Sequence, residues 1–233
     1  MTLPPKRNSD QKSPRIIELA GVAGVGKSSL LKAMVLRNGK IRSFPIPPKT
    51  VYLPFLVKMY ATWLPLFLRE YRHCRWFTLQ ETRNMAYLET WLSFVRSRSP
   101  KEEEYDVLDP GFVHWLASLE KFGPEITQHP QYRSWWKKKY EQWSEATDAI
   151  IWLDAPEELC LQRILSRDEW HELKDVPRDD AIIELKGYRE SYGKIIPEIA
   201  AKYPAKVFCF RSDQTSTEQM AAEVFSATDL WGE

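Results

Sequence analysis

Short apolar runs alternate with longer amphipathic segments along most of the chain. Five runs have the length and composition of buried strands: residues 15–20, 40–44, 105–108, 149–153 and 206–210. Nearly continuous apolar character is typical of strands covered on both faces. Strands that alternate with helical segments favour a parallel sheet with helices on both sides. We therefore predict an α/β fold with a five-stranded parallel sheet, in which the first strand is central.

The helical segments are predicted from apolar spacing and from chain breaks. A helix is expected from Ser28 to Arg37, closed by a left-handed cap at Asn38 and Gly39. After a proline-rich break, residues 51–97 form a long helical region. Within it, apolar residues recur at steps of three and four over residues 79–96, which indicates an amphipathic helix.

Tryptophan is concentrated in the middle of the chain. Seven of the ten tryptophans lie there: Trp63, Trp76, Trp91, Trp115, Trp135, Trp136 and Trp143. One interpretation is that they pack a helical layer over the sheet. The other is that two or three line a pocket for a flat or apolar ligand. The sequence does not choose between them.

Length and charge favour a single globular domain. The chain has 233 residues, of which 43% are hydrophobic, and this suits one compact domain. Its formal net charge is +1 and its lysines and arginines form no basic cluster, so we expect no nucleic-acid partner. Residues 1–14 are polar and predict a flexible tail, which leaves residues 15–233 as one domain. The three cysteines follow no metal-ligand pattern and predict reduced thiols in a cytoplasmic protein.

One stretch is apolar enough to be considered as a membrane-spanning helix. Residues 51–68 approach the length of a membrane span, but they contain Lys58 near the middle and prolines at Pro54 and Pro65. We therefore predict a buried or interfacial helix and no transmembrane segment.

The first predicted strand leads directly into a glycine-rich loop with the spacing GxxxxGK[ST]. Such a loop wraps a nucleotide polyphosphate with backbone N–H groups, while its lysine reaches the phosphates and its hydroxyl reaches Mg²⁺. Here Lys27 and Ser28 take those two roles. We call residues 21–29 the phosphate loop: Gly21, Val22, Ala23, Gly24, Val25, Gly26, Lys27, Ser28 and Ser29.

Carboxylates follow three of the other predicted strands: Asp109, Asp154 and Asp213. Ligands of open parallel sheets bind at the carboxyl ends of the strands. Asp109 is best placed to act beside the phosphate loop and to help hold Mg²⁺. The alternative is that Asp109, which precedes a proline, caps a helix.

The order of these features resembles the thymidylate kinase branch of the nucleoside monophosphate kinases. The resemblance is carried by the phosphate loop, by Thr82-Arg83-Asn84 on a helix, by Asp109, and by LDAPEELCLQRILSRDE over residues 153–169. It implies a P-loop NTPase fold and ATP- and Mg²⁺-dependent phosphoryl transfer to a nucleoside monophosphate.

The resemblance also assigns residues. It implies a helical acceptor-side region over residues 51–100 and a lid over residues 156–180. Arg163 and Arg167 match lid arginines that close over the transferred phosphoryl group, with Arg178 as a third candidate. Arg83 matches an arginine that contacts the acceptor nucleotide. The alternative for Arg163 and Arg167 is a solvated stripe on a helix.

Two departures from the family fall on the acceptor side. An acidic residue is usual at the position of Ala23, and an arginine is usual at the position of Pro110. A second hypothesis is therefore a kinase for a sugar, a lipid-linked compound or another non-nucleotide acceptor. A third is a nucleotide-dependent switch or an ATPase without an acceptor, although no NKxD guanine-reading segment follows the fourth strand. A homodimer is left open.

Overall fold

The computed structural model describes residues 15–97 and 104–227 and contains one five-stranded parallel sheet. The predicted tail, residues 1–14, lies outside the described residues. The strands are β1 (Arg15–Ala20), β2 (Ile41–Ser43), β3 (Tyr105–Leu108), β4 (Ala149–Asp154) and β5 (Val207–Arg211). Their spatial order is β2-β3-β1-β4-β5, so β1 is central and the predicted fold class is confirmed.

Eight helices cover the sheet within the described residues. They are α1 (Lys27–Arg37), α2 (Lys49–Glu70), α3 (Leu79–Ser97), α4 (Phe112–Phe122), α5 (Pro130–Ala146), α6 (Glu157–Leu165), α7 (Arg178–Lys202) and α8 (Thr217–Ala227). The connection from β1 to β2 runs in the opposite direction across the sheet to the later connections. Because crossovers between parallel strands are right-handed, α1 takes one face and α2 to α7 take the other. Helix α8 packs on α1.

Four tryptophans form the centre of the packed helical layer. Trp63, Trp91, Trp115 and Trp143 are at most 2% exposed. Trp91 and Trp115 lie 4.5 Å apart between ring centroids, and Trp143 stacks on Phe112 at 5.5 Å. Large aromatic surfaces buried together in this way stabilise the helices against the sheet. The packing interpretation therefore holds for these tryptophans.

One local prediction differs from the structure. The left-handed cap after α1 is wrong, because Asn38 is extended with φ of −139°. The helix ends where the Asn38 N–H donates a hydrogen bond to the carbonyl oxygen of Met34. The side-chain oxygen of Asn38 accepts a hydrogen bond from the Lys40 N–H at 2.9 Å, and this contact turns the chain directly into β2. The predicted helical region of residues 51–97 consists of two helices, α2 and α3, and α3 confirms the helix predicted over residues 79–96.

Helix α2 is long and apolar enough to cross a membrane by length and composition, and no other helix in the described part of the chain meets that test. Its inner face nevertheless belongs to the core, since Met59 and Trp63 are nearly inaccessible to solvent. The helix therefore lies along the domain, with its outer face exposed.

Candidate functional site

The phosphate loop joins the central strand to α1 and depends on three glycines in the left-handed region. Gly21, Gly24 and Gly26 have φ values of 138°, 78° and 111°. A Cβ atom at Gly24 would lie 2.2 Å from the carbonyl oxygen of Cys160. Side chains other than hydrogen are therefore excluded there by both conformation and space. The result is a loop whose backbone N–H groups are open to an anion at the start of α1.

Lys27 is the cation of this loop. Its Nζ donates hydrogen bonds to the carbonyl oxygens of Gly21 at 2.7 Å and Val22 at 3.1 Å. It also lies 4.0 Å from Oδ1 of Asp109. Burial lowers the pKa of Lys27, and the charge of Asp109 opposes this shift. The tertiary structure thus brings together the lysine and the carboxylate that the sequence separates by 82 positions.

Asp109 follows β3 and does not cap a helix. Helix α4 begins at Phe112, and its N-cap is Gly111. The alternative that Asp109 is an N-cap residue is therefore wrong. Burial raises the pKa of Asp109, while the ammonium group of Lys27 lowers it. The carboxylate faces the phosphate loop from the neighbouring strand.

Glu18 is a buried carboxylate that the sequence analysis missed. It lies in the middle of β1 and is fully inaccessible to solvent. Its Oε1 accepts a hydrogen bond from the Val113 N–H at 2.9 Å, at the start of α4. A Cβ atom at Gly111 would lie 2.3 Å from the Glu18 carboxyl carbon. The available signal was a single acidic residue inside the apolar run RIIELA.

The burial of Glu18 has an electrostatic consequence. Burial raises its pKa to about 8, although the N–H groups at the start of α4 oppose the shift. Within the described residues, no hydrogen bond reaches its Oε2. Glu18 therefore joins β1 to α4 and fixes the segment that carries Asp109.

A cavity of about 540 Å³ opens beside Lys27 and Asp109. It is enclosed by the phosphate loop, α3, α4, α7 and the short 3-10 helix at Glu172–Lys174. Its polar and aromatic lining residues are Lys27, Gln80, Asn84, Asp109, His114, Ser118, His171, Glu172, Glu184, Tyr188 and Tyr192. Among the residues that the structure describes, no tryptophan lines this cavity. A chamber of this size suits a small organic molecule.

One wall of the cavity is a continuous chain of hydrogen bonds. The Gln80 amide donates to Asn84 at 3.0 Å, and the Asn84 amide donates to Ser118 at 3.2 Å. The Tyr188 hydroxyl reaches the same serine oxygen at 3.4 Å. These groups come from three helices and hold one another in place. They present fixed donors and acceptors to a bound molecule.

An aromatic pair forms the next part of the wall. The His114 ring stacks on Tyr188 with centroids 5.1 Å apart, and its Nδ1 lies 3.0 Å from the Tyr192 hydroxyl. Burial lowers the pKa of His114 to about 3. The imidazole is therefore neutral at physiological pH and contributes no positive charge to the cavity.

Carboxylates outnumber cations in the cavity lining. Of the lining residues described, Lys27 alone carries a permanent positive charge, whereas Asp109, Glu172 and Glu184 carry carboxyl groups. Burial and the neighbouring Glu172 raise the pKa of Glu184. The interior of the cavity is therefore acidic away from the phosphate loop.

The two lid arginines of the sequence analysis occupy different environments. Arg163 is half-buried and donates to the carbonyl oxygens of Val25 at 3.3 Å and Ser212 at 3.1 Å. It thereby ties the phosphate loop to the segment after β5. Arg167 is exposed and close enough to Lys27 to lower its pKa. Arg178 is exposed at the first residue of α7.

Arg83 does not line the cavity. It is half-buried on α3, and its guanidinium group lies beside the Tyr87 hydroxyl, where it opposes the rise in the Tyr87 pKa caused by burial. The adjacent Asn84 lines the cavity instead.

The carboxylates at the carboxyl ends of β4 and β5 are held in ion pairs. Arg189 donates to both carboxylate oxygens of Asp154, at 2.6 and 2.8 Å, and lies 3.3 Å from Glu157. Arg211 pairs with Asp213 at 3.0 Å. Asp109 thus differs from the other two strand-end carboxylates, because it faces both the phosphate loop and the cavity.

No protein-family model and no curated protein sequence matches the chain. Solved structures do match it. The structure of deoxyadenosine kinase from M. mycoides with bound dATP has a TM-score of 0.53 and 16% sequence identity, and covers 91% of this chain and 98% of that chain. The same kinase with bound dCTP gives a TM-score of 0.51, 13% identity, and coverage of 91% and 97%.

A third structure of this kinase, with the products dCMP and a flexible dCDP bound, has a TM-score of 0.53 and 14% identity, with coverage of 91% and 97%. At such low identity the similarity concerns the arrangement of strands and helices. It extends over nearly the whole length of both chains. The chain therefore has the fold of these deoxyadenosine kinase structures.

Proposed function

We propose that the protein transfers the terminal phosphoryl group of ATP to a hydroxyl group of a small acceptor bound in the cavity. The observation that carries this proposal is the convergence of Lys27 and Asp109, 4.0 Å apart, where the phosphate loop meets the cavity. A phosphate-binding loop and an acceptor chamber that share two charged groups are the parts that phosphoryl transfer needs. The fold similarity to deoxyadenosine kinases supports the same reaction class.

The donor phosphates would lie on the backbone N–H groups of residues 21–29, with Lys27 neutralising their outer oxygens. In that position Lys27 would exchange its present carbonyl partners, Gly21 and Val22, for phosphate oxygens. The positive end of α1 adds to the attraction. Binding and orientation of the donor thus come from the loop itself.

Oxygen donors suited to Mg²⁺ are present beside this loop. They are the exposed hydroxyl of Ser28 and the carboxylate of Asp109. The described residues contain no group of three or more His, Cys, Asp or Glu that could hold a metal, so the nucleotide phosphates would complete the coordination. When bound, Mg²⁺ neutralises charge on the transferred phosphoryl oxygens.

Asp109 would also face the acceptor. Because it lines the cavity, its carboxylate can accept a hydrogen bond from the acceptor hydroxyl and take up the proton as the hydroxyl attacks phosphorus. Partial burial favours this role by raising its pKa. Positioning and proton acceptance are thereby combined in one side chain.

The arginines divide into two roles in this proposal. Arg167 is exposed near Lys27, so it is free to close over the transferred group and stabilise its negative charge. Arg163 holds the phosphate loop through Val25 and Ser212, and so keeps the donor site in shape.

The charge of the cavity favours an acceptor that carries no phosphate. A nucleoside monophosphate would need cations for its phosphate, but the described lining offers Lys27 against three carboxyl groups. On the acceptor side, Ala23 and Pro110 stand where the thymidylate kinases usually carry an acidic residue and an arginine. The guanidinium group of Arg83 lies beside Tyr87 and does not line the cavity. An uncharged, nucleoside-sized compound with hydroxyl groups fits the polar wall and the stacked aromatic rings.

The proposal is tested by following ADP release with ATP and Mg²⁺. A panel of nucleosides, nucleoside monophosphates and neutral sugars serves as acceptors. We expect stimulation by at least one compound without phosphate and none by nucleoside monophosphates. Stimulation by a nucleoside monophosphate alone would refute the acceptor class. Equal hydrolysis with and without every acceptor would instead support an ATPase or switch.

Variants separate the donor site from general effects of charge. Lys27→Ala should lower acceptor-stimulated turnover by at least about 100-fold, because it removes the cation that faces the transferred phosphoryl group. Lys32→Ala removes an exposed lysine from the same helix and should leave turnover unchanged. Turnover near wild type in Lys27→Ala, with the fold intact by circular dichroism, would refute the mechanism.

A further inference from the structure

Helix α2 presents a stripe of large apolar side chains to solvent. Its members are Leu53, Val57, Tyr60, Leu64 and Leu68, with exposed fractions between 40% and 70%. At 100° per residue they fall within an arc of about 80°. Their combined exposed area is roughly 500 Å², which is within the range of functional apolar patches on protein surfaces.

The opposite face of α2 fixes the orientation of this stripe. Met59, Trp63 and Leu66 are at least 90% buried in the core, and Trp63 packs on Tyr132 at 5.4 Å. The helix therefore cannot leave the domain to cross a bilayer. It can only lie flat against a surface, with the stripe facing outward over about 23 Å of helix length.

Cations outnumber carboxylates beside the stripe. Residues 50–69 contain Lys58 and Arg69 but no aspartate or glutamate. Both side chains are exposed, and Arg72 continues the cationic flank immediately after the helix. The first acidic residue, Glu70, lies 3.6 Å from Arg69. An apolar stripe with a cationic flank complements an anionic surface.

A second copy of the chain is a poorer partner for the same stripe. Stable protein interfaces bury about 800 Å² on each partner, more than the roughly 500 Å² that the stripe offers. A twofold pairing of α2 helices would also place Lys58 and Arg69 of both copies at one interface, where Glu70 is the carboxylate that α2 offers to offset them.

From these observations we propose that the outer face of α2 docks the protein on the surface of an anionic lipid bilayer. The helix lies parallel to the membrane plane. Leu53, Val57, Leu64 and Leu68 enter the headgroup boundary, and the flanking cations contact anionic headgroups. Tyr60 suits the same boundary, because its ring is apolar and its hydroxyl polar.

Vesicle co-sedimentation of the full chain tests this proposal. The probes are vesicles of phosphatidylcholine alone and vesicles with about 30% phosphatidylglycerol, each at low and high salt. We expect binding to the anionic vesicles that weakens at high salt, and much weaker binding to the neutral ones. Absence of binding to anionic vesicles at low salt would overturn the proposal.

Two variants assign the binding to α2. The double variant Val57→Gln and Leu64→Gln should weaken vesicle binding by about tenfold or more, because it removes two apolar groups from the centre of the stripe. The matched control, Leu36→Gln together with Ile183→Gln, changes two exposed apolar residues elsewhere and should bind as the wild type does. Equal binding by both double variants would refute the assignment to α2.

Three further measurements keep the test specific. Lys58→Glu with Arg69→Glu should lower binding to anionic vesicles and leave the weak binding to neutral vesicles unchanged. Size-exclusion chromatography that shows a dimer in the wild type and a monomer in the Val57 and Leu64 variant, with vesicle binding unaffected, would identify a second copy as the occupant and overturn the lipid proposal. Thermal shifts with an ATP analogue should be equal in all variants, so failure here is separate from failure of the proposed kinase activity.

Discussion

Replacing Glu18 by glutamine tests the electrostatics at the centre of the sheet. Glu18 is completely buried, and its Oε1 accepts a hydrogen bond from the Val113 N–H at 2.9 Å. Glutamine has nearly the same shape, and its amide oxygen can accept the same hydrogen bond. The substitution therefore removes the titration of Glu18 while keeping most of its packing.

The sign and size of the effect follow from the raised pKa. Burial raises the pKa of Glu18 from 4.5 to about 8, so the folded protein binds this proton more tightly than the unfolded chain does. The stability that Glu18 contributes is complete below a pH of about 4.5 and is lost as the pH rises through about 8. The difference between the two pKa values corresponds to roughly 5 kcal/mol, of which about 4 kcal/mol is lost between pH 5 and pH 9.

The assay is urea unfolding followed by tryptophan fluorescence at several pH values from about 5 to 9 and constant ionic strength. We expect the free energy of unfolding of the wild type to decrease relative to Glu18→Gln by several kcal/mol across this range. Glu190→Gln, which removes an exposed carboxylate, should follow the wild type at every pH. Parallel curves for the wild type and Glu18→Gln would refute the reasoning, because they would mean that Glu18 titrates alike in the folded and unfolded states.

Three further substitutions test the packing that supports the site. Gly24→Ala should destabilise the protein by about 2–4 kcal/mol and abolish the thermal shift with an ATP analogue, because its Cβ would lie 2.2 Å from the Cys160 carbonyl oxygen at φ of 78°; an unchanged shift would contradict this. Arg189→Met should cost about 1–3 kcal/mol in urea unfolding, since Asp154 loses partners at 2.6 and 2.8 Å; wild-type stability would mean that the pair is dispensable. Trp143→Phe should lower the free energy of unfolding by about 2–3 kcal/mol, because it removes the hydrogen bond of 3.1 Å from the buried indole to the Leu88 carbonyl oxygen and leaves a void. A loss below about 0.5 kcal/mol would show that the core closes around the smaller ring.

The local pattern of apolar and polar residues was sufficient to predict the strands of the fold. Each strand was found within two residues of its observed bounds, because a buried parallel strand is a short apolar run in the sequence. The phosphate loop was also recognisable, since its glycine spacing is a local requirement of backbone geometry. The cap at Asn38 was predicted wrongly, because asparagine can close a helix with either an extended or a left-handed backbone, and the short path into β2 selects the extended one.

The site was predictable only in part, because its members are distant in sequence. Lys27 and Asp109 were each singled out, and the sheet order decided that they lie beside one another. Glu18 was missed because a glutamate in a strand gives no sign of which helix will cover it. Arg163 was assigned to a lid by resemblance, whereas the fold holds it against the phosphate loop through Val25 and Ser212.

The sequence by itself determined the strands, the loop that receives phosphates and the excess of apolar residues in α2. These features depend on contacts between near neighbours in the chain. Only the tertiary structure decided which side chains enclose the cavity, that its lining is acidic, and that one face of α2 stays exposed. Those properties depend on burial and on distances between separate elements, and a linear pattern contains neither.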